Sequence, residues 1–125
     1  MLLKDFYIID SIENTDVNKY SAAITLNKDH DIFKGHFPGN PVTPGVCMMQ
    51  IVKEITECIL NTNLTMVSTS NVKFMALINP EVNSKLVLNL EISENENSEI
   101  KVKNTTSFEE TVALKLSNTY KKTSS

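Results

Sequence analysis

The sequence has two histidines, His30 and His36, and both fall in or beside a stretch where its glycines and prolines gather. His36 stands between Gly35 and the run Phe37-Pro38-Gly39. Glycine lets backbone come close to a ligand, and proline fixes the path of the chain. A histidine held in such a loop beside an aromatic ring is a candidate general acid–base, because its ordinary pKa lies near neutral pH. Further on, Pro44-Gly45-Val46 leads into a segment with helical periodicity. The open N–H groups of a first helical turn, with the positive end of the helix dipole, suit a carbonyl oxygen that gains negative charge. Gly45 is the best-placed donor there, since Pro44 has no N–H. Two plainer readings stand beside these. A loop histidine is more often a structural hydrogen-bonding group, and Thr43-Pro44 is also ordinary grammar for a helix start. His30 is read as a packing or capping residue of the loop.

The elements around this stretch must hold it in place. Residues 6–12 are apolar and β-branched and read as a first strand. Residues 19–26 alternate, with Tyr20, Ala22, Ile24 and Leu26 on one face, and read as a second. A turn-rich stretch follows, and residues 35–45 contain all three glycines and three of the four prolines. Thr43 is the expected N-cap of a helix that runs to about residue 60 and ends at Asn61-Thr62-Asn63. Its apolar positions cover most of its circumference, and Gln50, Lys53, Glu54, Glu57 and Asn61 form a narrow polar stripe, so the helix is expected to be buried. Residues 65–78, 85–92, 99–108 and 111–120 read as further strands, with a break at Asn79-Pro80 and a frayed tail from residue 121. The simplest packing is α+β: one antiparallel sheet wrapped around one long central helix, a single domain over residues 1–125. Such a sheet often hides an edge by pairing with a second subunit.

Composition narrows the function. The net charge of −3 is built from intermixed signs, which excludes the basic block expected of a nucleic-acid or membrane-surface binder. No apolar run approaches the length of a membrane span, and MLLKDFYIID is too short an apolar run for a signal peptide. Cys47 and Cys58 share one helix, too far apart to bridge. Both are read as buried thiols of a reducing compartment, and cytoplasm is the expected location. Their spacing matches no zinc pattern, so no metal is expected. Met48, Met49, Phe74 and Met75 are open to two readings, as pocket lining or as core.

The run GHFPGNPVTPGV, residues 35–46, resembles the signature of the β-hydroxyacyl-acyl-carrier-protein dehydratases, GHFPGxPxxPGV. A second piece, NVKFMALINP at residues 71–80, is similar to that family's K-F-x-x-x-V-x-P-G-D segment, with Glu81-Val82 in place of Gly-Asp. The resemblance implies the hot-dog fold and a homodimer with its site at the interface. A dimer of dimers, a hexamer or a heterodimer with a related dehydratase is also open. It implies a 3-hydroxyacyl thioester carried on the phosphopantetheine of acyl carrier protein (ACP) or on CoA, in fatty acid synthesis or a specialised polyketide-like route. It implies no metal or redox cofactor.

Residue by residue, the resemblance makes His36 the base that removes the α-proton and Gly45 the N–H donor to the thioester carbonyl. Val46, Phe37, Pro38 and Gly39 become substrate-binding residues. The family's helix carboxylate falls on Gln50, which hydrogen-bonds a hydroxyl but transfers no proton at neutral pH. Loss of a general acid costs about 10²–10⁴-fold in rate. One turn on, where the family commonly has Gln, stands Glu54. The two side-chain types are exchanged, and positions four apart share a helix face. Glu54 is therefore either a displaced carboxylate of the site or, as the favoured reading, a partner of a neighbouring lysine on the polar stripe.

Three functions compete. The first is a 3-hydroxyacyl-thioester dehydratase that forms a trans-2-enoyl thioester, with His36 as base, Gln50 orienting the hydroxyl and Glu54 or a water relaying the proton. The second is a non-catalytic acyl-thioester-binding or partner subunit. The third is an acyl thioesterase, which the absence of a carboxylate at Gln50 disfavours.

Overall fold

The computed structural model describes residues 5–34 and 42–123. Its elements in chain order are β1 (Tyr7–Asp16), β2 (Lys19–Leu26), α1 (Asp31–Lys34), α2 (Gly45–Leu60), β3 (Leu64–Phe74), β4 (Lys85–Glu94), β5 (Ile100–Phe108) and β6 (Thr111–Lys122). The strands form one antiparallel sheet in the order β1-β2-β4-β5-β6-β3. With the long helix α2 packed against it, this is the expected α+β hot-dog architecture.

The period-2 pattern of the interior strands explains which face turns inward. In β4, Leu86, Leu88, Leu90 and Ile92 are buried while their neighbours are exposed. Ala22, Ile24 and Leu26 of β2, Ile100 and Val102 of β5, and Leu114, Leu116 and Tyr120 of β6 join them. Against this surface α2 lays Cys47, Met48, Ile51, Val52 and Ile55, each at most 2% exposed. Burying one such side chain stabilises the fold by about 1.5–3 kcal/mol. The helix ends at Asn61, which takes the left-handed conformation (φ 52°) and returns its N–H to Glu57 O. Asparagine is one of the few residues that enters this region readily. Glu57 then accepts the N–H of Leu64 at 2.8 Å and pairs with Lys53 at 3.4 Å, which ties the start of β3 to the helix.

The edges of the sheet depart from expectation. β1 continues to Asp16, four residues past the apolar run, because its polar end is paired with β2 as far as Lys19. β3 stops at Phe74: Met75 and Ala76 both donate to Ala113 O, so the chain leaves the sheet there. The tail is not frayed at residue 121, since Lys121 and Lys122 pair with Thr65 and Leu64. α2 is also less enclosed than its composition suggests. Val46 is 68% exposed, and Cys58 is exposed rather than buried, because both lie on the open side of the helix with the polar stripe. Thr43 is not the N-cap. Pro44 holds that position in an extended conformation, and no side chain caps the helix.

Candidate active site

The start of α2 opens on a cavity of about 600 Å³. Its lining comes from residues 42–46 on one side and residues 74–78 on the other. The two segments are joined by a hydrogen bond from Thr43 N–H to Ile78 O at 2.8 Å. Cys47 and Met48 N–H both return to Pro44 O. The N–H groups of Gly45 and Val46 thus have no acceptor within the helix, as for the first residues of any helix. Glycine at 45 has a packing reason: a Cβ built there lies 2.7 Å from the tip of the Phe74 ring. Phe74 therefore rests on the bare Cα of Gly45 at the mouth of the helix. The wall is otherwise apolar, as an acyl chain requires. Burial pushes the Cys47 thiol up from its ordinary pKa, which disfavours the thiolate.

The open face of α2 carries a row spaced by four residues, Val46, Gln50 and Glu54, each step about 6 Å along the axis. Val46 lines the 600 Å³ cavity and also a smaller one of about 130 Å³, shared with Met49, Gln50, Lys53, Met66 and Tyr120. It is the residue common to both. Beyond it, Gln50 Nε2 donates to Glu54 Oε2 at 2.9 Å, and Tyr7 OH donates to Glu54 Oε1 at 2.8 Å. Each carboxylate oxygen of Glu54 thus receives one of these bonds. With its nitrogen donating to Glu54, the Gln50 amide turns its carbonyl oxygen away. Burial, followed by the hydrogen bond and charge of Glu54, pushes the Tyr7 hydroxyl far above its ordinary range, which keeps it a donor.

Of the residues singled out in the sequence, Gly45 and Val46 meet at the large cavity, and Gln50 and Glu54 meet each other one step along the same face. Lys53 of the polar stripe pairs with Glu57, and Glu54 receives hydrogen bonds from Gln50 and Tyr7. His36, Phe37, Pro38 and Gly39 lie outside the described residues. His30 behaves as expected. Its Nδ1 accepts from Ile32 N–H at the start of α1, and its ring stands edge-on to Phe6 at 5.2 Å. Phe74 and Met75 line the large cavity, Met49 the small one, and Met48 is core. Tyr7 was not anticipated: it is 47 residues from Glu54, and only the folded sheet brings them together. Among the described residues, no group of three or more metal-ligating side chains forms, and no helix is long and apolar enough to cross a membrane.

The ApeI-like family model, described as ApeI dehydratase, matches residues 12–116. The chain is 29% identical over 69 residues to the 3-hydroxyacyl-[acyl-carrier-protein] dehydratase FabZ of Ruegeria sp. (strain TM1040), covering 51% of this chain and 41% of that protein. It is 29% identical over 86 residues to FabZ of Rickettsia akari (strain Hartford), covering 60% and 58%. The matched part is thus about half the length of these curated relatives. Among solved structures, the dehydratase heterocomplex ApeI:P from Xenorhabdus doucetiae superposes with a TM-score of 0.70 at 22% identity, over 90% of this chain and 96% of that one. A hypothetical thioesterase from Streptococcus pneumoniae, solved with coenzyme A, gives 0.67 at 12% identity, over 98% and 91%. At these identities the two structures share the fold.

Proposed function

The chain belongs to the ApeI-like dehydratase family, and from that premise we propose that it removes water from 3-hydroxyacyl thioesters to give trans-2-enoyl thioesters. The thioester carbonyl sits at the start of α2, beside Gly45 N–H. His36 takes the α-proton, and the electrons of that C–H bond move into an enolate whose oxygen is held by the N–H donor. The enolate then collapses to a C2–C3 double bond as the C3–O bond breaks, and the departing hydroxyl takes up a proton to leave as water. Gln50 cannot supply that proton. Its carbonyl oxygen accepts from the substrate hydroxyl and orients it, while Glu54, directly or through a water, relays to that hydroxyl the proton His36 took from C2, which leaves both side chains as they began. The observation that carries this reading is the contact between Gln50 and Glu54 on the open face of α2, one step from Val46 and the large cavity. The exchanged amide and carboxylate remain one hydrogen-bonded unit.

Phe37, Pro38 and Gly39 are substrate-binding residues in this proposal. The acyl group arrives on the phosphopantetheine of ACP or on CoA, in the cytoplasm, with no resident metal or cofactor, and the protein works as a homodimer. A second reading, a partner subunit of a heteromeric dehydratase, draws on one specific feature. Both carboxylate oxygens of Glu54 are already engaged, and a group so held is a poor proton donor. The heterocomplex of the similar X. doucetiae protein is a precedent for such pairing.

The test is turnover of an enoyl or 3-hydroxyacyl thioester by the purified chain, followed by the enoyl absorbance with ACP-bound and CoA-bound substrates. Turnover by the chain alone is expected. Activity that arises only when a related dehydratase chain is added selects the second reading, and no turnover under either condition removes both.

A further inference from the structure

We infer that Thr43 is a specificity-determining residue, whose hydroxyl donates a hydrogen bond to an oxygen at the thioester end of an acyl group bound in the large cavity. The inference rests on the acyl-thioester reading and adds a side-chain donor to the backbone one at Gly45. Thr43 is only 6% exposed, and its Oγ1 has no hydrogen-bond partner. Buried hydroxyls nearly always have one, and an unpartnered one costs stability. A threonine just before a helix would ordinarily cap it. Here Pro44 occupies the cap position and the helix has no side-chain cap, so that outlet is closed. The backbone of Thr43 is fixed by its N–H to Ile78 O, which leaves the residue little freedom to seek another partner.

The neighbourhood makes the hydroxyl conspicuous. Val42, Pro44, Ala76, Leu77 and Ile78 line the same cavity with apolar surface. Valine matches threonine in shape and would pack there without an orphaned polar atom. One other described side-chain atom is buried without a partner, Asn118 Oδ1, but its amide nitrogen is bonded to Tyr120 OH, and Asn118 lines none of the cavities described above. Among the described residues, Thr43 alone combines an unpartnered polar group, a ligand-sized apolar cavity and the open N–H groups of a sixteen-residue helix. A ligand suited to this combination is an apolar chain ending in an oxygen acceptor, either the thioester carbonyl or the 3-hydroxyl.

The experiment compares wild type, Thr43→Val and Thr43→Ser. It reads the thermal midpoint of each free protein, the Kd for hexanoyl-pantetheine, and KM and kcat for 3-hydroxyhexanoyl-pantetheine. Thr43→Val is expected to keep or raise the thermal midpoint while weakening binding about three- to tenfold, the worth of one hydrogen bond. KM should move more than kcat, and Thr43→Ser should stay near wild type. Weakening of both probes assigns the bond to the carbonyl, and weakening of the 3-hydroxy probe alone assigns it to the hydroxyl. Unchanged binding by Thr43→Val overturns the inference while leaving the dehydratase reading standing. So does a lowered thermal midpoint with unchanged binding, which would show a purely structural hydroxyl. A wild-type protein that takes neither probe removes the acyl-thioester reading and this inference with it.

Discussion

The two ends of the open face of α2 treat their polar groups in opposite ways. At the N-terminal end, the Gly45 and Val46 N–H groups have no acceptor within the helix, the Thr43 hydroxyl has no partner, and all three residues line an apolar cavity. One to two turns along, Gln50, Glu54 and Tyr7 bond to one another, and each Glu54 oxygen has a donor within 2.9 Å. Unpartnered groups in a folded protein are costly and are kept where something else completes them. A closed network costs little and resists rearrangement. On the proposed function, the first region receives the substrate and the second holds one geometry. In a dehydration, the first would carry α-proton removal and the second would govern the loss of hydroxyl.

Removing the proposed base should have the largest effect. His36→Ala is expected to lower turnover by about 10²–10⁴-fold, with an unchanged circular dichroism spectrum and thermal midpoint. Retained activity would place the base elsewhere. Restoring the family's order in the network should come next. The double variant Gln50→Glu/Glu54→Gln returns a carboxylate to the position nearer the cavity, and its turnover should rise by about tenfold or more. Steady-state kinetics of the two single variants beside the double one would show whether the residues act as a unit. A fall in the double variant would give the native order a role of its own.

Tyr7→Phe probes the far side of the same network. Removing the donor to Glu54 should cost about 1–2 kcal/mol of stability and a few-fold in turnover, as read by urea unfolding and the same enoyl assay. An unchanged protein would reduce the network to surface decoration. The smallest effect concerns pH. Burial pushes the Tyr120 hydroxyl up to about 12. The unfolded tyrosine ionises near 10, so between about pH 10 and 12 the unfolded state gives up its proton while the folded state keeps it. Stability should therefore fall with rising pH across that window. In Tyr120→Phe the fall should be shallower, which thermal unfolding at pH 9 and above would register.

The parts of this architecture with strong one-sided burial were legible in the sequence. The strict alternation of Leu86, Leu88, Leu90 and Ile92 and the helical run from Val46 both follow from water on one side and core on the other. Edge strands carry no such contrast. β1 and β3 are exposed on both faces for most of their length, so hydropathy did not mark the end of β1 at Asp16 or of β3 at Phe74. The spacing of Gln50 and Glu54 put them on one face, and the structure adds their direct bond. Tyr7 was invisible, because its role depends on a contact between β1 and α2, 47 residues apart in the chain. Thr43 looked like a cap in one dimension, and only the extended Pro44 and the cavity beside it give the residue a different meaning.

The central claim is that His36 and the start of α2 perform α-proton chemistry on a thioester, while Gln50 and Glu54 condition the departure of hydroxyl. The most direct measurement is deuterium exchange at C2 of a saturated acyl thioester, which cannot lose water, incubated in D₂O with wild type, His36→Ala and Gln50→Glu and read by mass spectrometry. The account predicts exchange with wild type and with Gln50→Glu, and none above background with His36→Ala. Absence of exchange with wild type on both CoA and ACP carriers, or exchange that survives in His36→Ala, would contradict it.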